Sequence, residues 1–273
     1  SAIEREFQEK LKEFLSVDNI ELFVNGHSSL EVAIKALNLT GEVITTPFTF
    51  PSTIQAIVNN GLTPVFADVD KEYYNLNPDN IEELITDKTS AIMPVHVFGN
   101  PCDVDKIEKI AKKHDLKVIY DAAHAFGVKI NDNPIASYGD ISMFSFHATK
   151  VFNTIEGGAL IYDDPELEYK FKSIKNFGIT PDKEEIQFLG INAKMNEFEA
   201  AMGLINLNHI EEAIEKRKII YEKYLECLSG LENEGVIKVL RPMKNVDYNY
   251  SYFTVKLNTF EEKNHLFEKL PEY

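Results

Sequence analysis

The sequence is poor in cysteine and in positive charge, and it has no apolar run long enough to cross a membrane. Two cysteines stand at positions 102 and 227. They form neither a metal-ligand spacing nor a disulfide framework, which excludes a disulfide-stapled scaffold and points to a reducing, cytoplasmic compartment. Against 44 acidic residues there are 28 lysines and arginines, a formal net charge of −16. That balance argues against nucleic acid or an anionic membrane as the main partner. It leaves room for a phosphorylated small molecule, because a helix N-terminus and one lysine can hold a phosphate locally. No stretch offers the ~20 apolar residues of a membrane-spanning helix. Internal repeats and low-complexity segments are also missing. What remains is an ordinary globular composition over 273 residues, 44% apolar and 26% charged. That length suffices for one large α/β domain with a smaller one.

Apolar residues at helical spacing (Phe7, Leu11, Phe14, Leu15) predict a helix from Glu4 to Leu15. Strand-like segments then run over 20–24, 42–46, 63–68, 90–96, 116–120, 140–145 and 159–162. Helical patterns between them cover 30–39, 53–60 and 104–114. This alternation predicts a three-layer, doubly wound, mostly parallel sheet with helices on both faces. The large domain is expected over 1–208. A helix over 196–207 carries the small residues Ala200, Ala201 and Gly203, which suit close packing. A long charged helix over 210–227 then leads into a smaller α+β part, expected over 209–273, where 248–257 alternates like an antiparallel strand.

Polar residues gather where strands end. The turn Asn25-Gly26-His27-Ser28-Ser29 feeds the 30–39 helix, and either offers backbone N–H groups to an anion or places Ser28 or Ser29 as a helix cap. The loop Pro47-Phe48-Thr49-Phe50-Pro51 is aromatic: Phe48 is assigned to the core, and Phe50 is left free to stack on a planar ligand. Asp121 follows a buried strand, where it either meets a ligand or caps the next turn. The run Phe144-Ser145-Phe146-His147-Ala148-Thr149-Lys150 places a lysine in a segment that reads as buried. Such a lysine is either an ordinary turn residue or one whose pKa is lowered for bonding to a carbonyl carbon. A phosphate site, a buried carboxylate and a buried lysine are together the requirements of pyridoxal phosphate.

The residues Asp121-Ala122-Ala123-His124, Ser145-Phe146-His147-Ala148-Thr149-Lys150 and Glu156-Gly157-Gly158 resemble, in order and spacing, the DegT/DnrJ/EryC1/StrS sugar aminotransferases of the fold type I pyridoxal phosphate enzymes. So do Asn25-Gly26-His27, Pro47-Phe48-Thr49-Phe50 and Gly190-Ile191-Asn192. The resemblance implies roles. Lys150 would bond to the cofactor aldehyde and later carry the proton between substrate carbon and cofactor. Asp121 would pair with the ring nitrogen, Phe50 would stack on the ring, and His124 would lie on its hydroxyl side. Ser145 and the backbone at His27 and Ser28 would hold the phosphate; the family usually has Thr where this chain has His27. Asn192 would reach the phosphate of a neighbouring subunit, so the active site would need a homodimer. His96 and His147 are expected to be structural or to support the residues that touch the ligand, rather than to be catalytic.

The implied reaction moves an amino group from glutamate to a nucleotide-linked keto-deoxysugar, for a surface polysaccharide or glycosylated product. Two other readings share the resemblance: a pyridoxamine-dependent sugar dehydratase, whose relatives replace the lysine by histidine, and a non-catalytic regulator. Relatives carry a segment before the first helix and a longer small domain after Tyr273. The sequence is therefore expected to omit residues at one or both ends.

Overall fold

The structure, a computed structural model, describes residues 2–270. Helix α1 (Ala2–Leu15) leads into strand β1 (Ile20–Phe23), then α2 (Gly26–Ala36), β2 (Glu42–Thr45), α3 (Pro51–Asn59), β3 (Thr63–Phe66) and β4 (Thr89–Ile92). Next come α4 (Val104–His114), β5 (Lys117–Asp121), a hairpin of β6 (Lys129–Ile130) and β7 (Asn133–Pro134), β8 (Ile141–Ser145) and β9 (Gly158–Tyr162). The chain continues through α5 (Glu166–Ile174), α6 (Glu197–Leu207), α7 (Ile210–Asn233), β10 (Ile237–Leu240), β11 (Val246–Asp247), β12 (Thr254–Leu257) and α8 (Phe260–Lys269).

The central sheet has the order β1-β9-β8-β5-β4-β2-β3. Its pairs are parallel except at β9, which runs against both β8 and β1. The expected doubly wound sheet is thus present. Successive strand residues point to opposite faces. Val118, Tyr120 and Phe144 join the α1, α4 and α6 residues Phe7, Ile107 and Ala200 in one apolar cluster. Ile119, Ile141 and Met143 join Leu30, Ile57 and Phe171 of α2, α3 and α5 in the other. The ends of β1, β2, β4, β5 and β8 all open onto one edge of the sheet, where α/β folds bind ligands.

Several element boundaries differ from the sequence reading. The second helix begins at Gly26 rather than Leu30, because Asn25, in extended backbone, caps it by accepting the Ser28 N–H. Neither Ser28 nor Ser29 is the cap. The long helix α7 runs on to Asn233. Of the segment 248–257 only Thr254–Leu257 is a strand, paired with β10. Residues 248–253 leave the sheet pattern because their polar groups turn back to the loop after β5. Together with β11, which pairs with β6, they return the chain to the large body after α7 has left it.

Candidate active site

Asp121 ends β5, one strand away from Ser145 at the end of β8. Its carboxylate is 4% exposed. Oδ2 accepts from the Thr53 hydroxyl at 2.7 Å, and Oδ1 accepts from the Ala123 N–H at 3.1 Å. The Thr53 oxygen lies 2.7 Å from the Thr49 hydroxyl, so with its own proton given to Asp121 it accepts from Thr49. Burial pushes the Asp121 carboxyl above its usual pKa, while Thr53, Ala123 and the charge of Lys150 pull it back. Among the described residues no lysine, arginine or histidine forms an ion pair with it.

Lys150 closes the turn after β8, its N–H bonded to the His147 carbonyl at 2.9 Å. The side chain is half-buried, not fully buried as the sequence suggested, because residues 147–149 of the turn are exposed. Burial still lowers its pKa, against the attraction of Asp121. His147 braces the turn through Thr149 Oγ1 at 3.0 Å and Glu156 at 3.4 Å.

The N-terminus of α2 abuts the end of β8. A Cβ on Gly26 would stand 2.9 Å from Ser145 Cβ, and one on Gly158 would stand 2.6 Å from the Asn25 carbonyl carbon. Gly158 pairs with both Phe23 and Ser145 across the sheet, which draws Asn25 and Ser145 together. The Ser28 N–H is already taken by Asn25 Oδ1 at 2.8 Å, and the Ser29 N–H by the Asn25 carbonyl at 3.2 Å. Of the first-turn N–H groups, those of Gly26 and His27 are left to an anion. His27 Nε2 faces Glu31 at 3.5 Å, and its Nδ1 is buried without a partner.

His124 lies between the Phe98 ring, parallel at 5° and 6.3 Å, and Tyr252, whose hydroxyl is 3.3 Å from Nε2. Burial, helped by the positive charge of Lys150, depresses its pKa to about 3. Nδ1 is buried and unpaired. Phe50 caps α3 in extended backbone and is 72% exposed. Phe48, assigned to the core from sequence, is 44% exposed instead. It lies at the ligand edge, against Tyr74 and Phe98, since its strand ends at Thr45 before it can reach the interior. Asn192 is exposed, on a strap where its Oδ1 accepts from Lys194 at 3.1 Å. His96 is a core residue, stacked on Tyr120 at 4.7 Å and accepting the Cys102 N–H.

The structure thus brings Asp121, His124, Ser145, Lys150 and the start of α2 to one sheet edge. The sequence reading missed Thr53, Phe98, Asn249 and Tyr252. Thr53 carries no local signal, being one threonine in a helix start. The other three sit in segments whose position depends on the tertiary fold.

A half-buried lysine and a buried carboxylate on neighbouring strand ends, facing a helix N-terminus in a sheet of this order, define an aminotransferase fold of the type I class. A family model for the DegT/DnrJ/EryC1/StrS aminotransferase family matches residues 2–273, and the chain belongs to that family. It is 45% identical over 254 residues to a dTDP-4-amino-4,6-dideoxy-D-glucose transaminase of Shigella dysenteriae, covering 92% of this chain and 67% of that protein. The crystal structure of DesI in the presence of its TDP-sugar product superposes with a TM-score of 0.89 at 37% identity, over 94% of this chain and 65% of that one. NtdA from Bacillus subtilis with bound cofactor PMP gives 0.90 at 28% identity, over 98% and 61%. The chain spans about two thirds of the length of these relatives. Among the described residues no helix is long and apolar enough to cross a membrane.

Proposed function

We propose that the protein is a pyridoxal-phosphate-dependent aminotransferase that moves an amino group from glutamate to C4 of a dTDP-linked 4-keto-6-deoxyhexose. The observation that carries this reading is the placing of Lys150 and Asp121 at neighbouring strand ends, each within reach of the other's charge. Asp121 is a buried carboxylate with no cationic partner bonded to it, and a protonated ring nitrogen is the partner it lacks. The unpaired Nδ1 of His124 and the free N–H groups at the start of α2 supply a donor site and an anion site on the same edge. These residues fit the cofactor.

Bound there, pyridoxal phosphate would supply an electron-withdrawing ring for the electrons of the broken substrate C–H bond. Asp121 would hold the proton on the ring nitrogen. Lys150, its pKa lowered, would bond to the aldehyde carbon and then, once released, carry the proton from one carbon to the other. Gly26 and His27 N–H groups with Ser145 would hold the phosphate, and Phe50 would cover the ring. Asn192, facing solvent, would serve the phosphate site of a second copy in a homodimer. The nucleotide assignment rests on the relatives at 45% and 37% identity, and the C4 assignment on the first of them. A cytoplasmic setting belongs to the same reading and is supported by the free thiols of Cys102 and Cys227.

The test is a screen of keto-sugar nucleotides with glutamate as donor. The expected outcome is amination of dTDP-4-keto-6-deoxyglucose ahead of GDP-linked and 3-keto sugars, and a loss of about 10²–10⁴-fold in Lys150→Ala. Full turnover in that variant, or no aminated product from any keto sugar, would overturn the proposal.

A further inference from the structure

His124 is gripped more closely than a ring that merely lines a pocket needs to be. Its backbone carbonyl accepts from Asn249 Nδ2 at 2.9 Å and from Ser251 Oγ at 3.0 Å. Asn249 also donates to the Phe126 carbonyl at 2.9 Å and accepts the Ser251 N–H at 3.1 Å. Arg217 holds the Ser251 carbonyl from α7, and the Tyr248 hydroxyl donates to the Phe98 carbonyl. Phe98 presents its ring to His124 from a left-handed backbone, φ 54°. Such a conformation is costly for a bulky residue and is found where surrounding structure enforces it. Gly99, at φ 92°, has no room for a side chain: a Cβ would stand 2.8 Å from the His124 carbonyl oxygen. The outcome of these contacts is one fixed placement of the imidazole, with Nε2 at the Tyr252 hydroxyl and Nδ1 buried and unpaired.

The groups facing this ring are Lys150 from the turn after β8, Phe98, and the hydroxyl of Tyr252, with Arg217 behind Tyr252. Burial and Lys150 keep the imidazole neutral. A neutral imidazole has one N–H and one lone pair, so its two nitrogens cannot both donate. The bond at Nε2 decides which nitrogen is the donor. Burial keeps Tyr252 a protonated phenol, able to give its proton to that bond.

We propose that Tyr252 is a positioning residue that donates to Nε2 and thereby fixes His124 as the Nδ1–H tautomer, leaving a buried N–H to donate to an anionic oxygen of the ligand. This rests on the reading above, in which that oxygen is the ring hydroxylate beside the cofactor aldehyde.

Two measurements separate it from that reading. In the cofactor-free protein, ¹⁵N shifts of His124, assigned with His124→Gln, are expected to show Nδ1 protonated. Tyr252→Phe is expected to move the proton wholly or partly to Nε2. In the cofactor-loaded protein, the pH titration of the visible absorption band is expected to move in Tyr252→Phe to higher pH by about one unit, a tenfold change. A glutamine at 124 donates from its amide whatever residue stands at 252. In the His124→Gln background Tyr252→Phe is therefore expected to leave the titration unmoved. The proposal is overturned if wild type carries the proton on Nε2, if Tyr252→Phe alters neither readout, or if it shifts the titration equally with glutamine at 124. Failure to take up pyridoxal phosphate would overturn the functional reading, and the ¹⁵N shifts would still decide the tautomer.

Discussion

Thr53 at the start of α3 donates its hydroxyl to Asp121 at the end of β5, 2.7 Å away in space and 68 positions away in sequence. The bond links two strand-end loops and favours the ionised carboxylate, opposing in part the larger upward push of burial on its pKa. Thr49 extends the chain of hydroxyls outward.

Removing that donor should be felt at the cofactor ring before it is felt in the fold. Hydrogen bonds to charged groups contribute about 1.5–3 kcal/mol. Thr53→Val is expected to lower kcat about tenfold or more, with KM for glutamate little changed, and Thr53→Ser to restore it. Steady-state kinetics of both variants decides this, and a valine variant with wild-type kcat would remove Thr53 from the site.

Asp121→Asn should trade activity for stability. The folded-state pKa of Asp121 is raised, so the folded protein binds this proton more readily than the unfolded chain. Its contribution to stability is therefore full below the ordinary aspartate pKa of about 4 and is lost as pH rises through the folded-state value. The cofactor-free Asp121→Asn protein should melt higher than wild type at neutral pH, with the gap closing below about pH 4. Its transamination should fall by about 10²–10³-fold, the scale for losing one fixed electrostatic contact to a developing charge. Melting curves across pH, without cofactor, check the first part.

Gly158→Ala should break the junction between β9, β8 and the start of α2. The added Cβ would meet the Asn25 backbone and Ser29 Oγ at 2.6 Å. Overpacking of this kind costs about 1–3 kcal/mol. Denaturant unfolding should show that loss, and phosphate-site distortion should weaken cofactor uptake in titrations of the folded variant.

Lys175 and Glu21 form a buried ion pair, 7% and 3% exposed, that ties the chain after α5 to β1, with Glu4 of α1 a further 3.4 Å contact of the lysine. Lys175→Met leaves Glu21 buried without its cation and is expected to cost about 3–5 kcal/mol. The double change Glu21→Leu with Lys175→Met should recover most of it, because two apolar groups need no charge partner. Unfolding free energies of single and double variants test this, and a double variant as unstable as the single one would refute it.

Much of the site was legible because its residues follow strands in short, distinctive runs. Asp121, Ser145 and Lys150 each sit at or just beyond a strand whose apolar pattern is plain, and the glycines at 157 and 158 mark close backbone approach. Phe48 was misread since apolar character alone does not distinguish a core residue from a rim residue. The start of α2 was misplaced because Asn25 competes with Ser28 and Ser29 as a cap, and only the backbone geometry selects among them. Tyr252 could not be assigned a role at all: an alternating pattern predicts a strand, while three side-chain bonds to the β5 loop, from Asn249 and Ser251, pull the segment out of one.

By itself, the sequence determined the alternation of strands and helices, hence a doubly wound sheet, and the lysine and aspartate on which the proposed chemistry rests, because periodicity and residue type are local properties. Tertiary structure alone decided which groups meet. Parallel pairing of β5 with β8 set Asp121 within reach of the Lys150 charge, and the fold of the later chain delivered Tyr252 to His124. Those are contacts between residues far apart along the chain, and their geometry depends on sheet order and register, which no local pattern encodes.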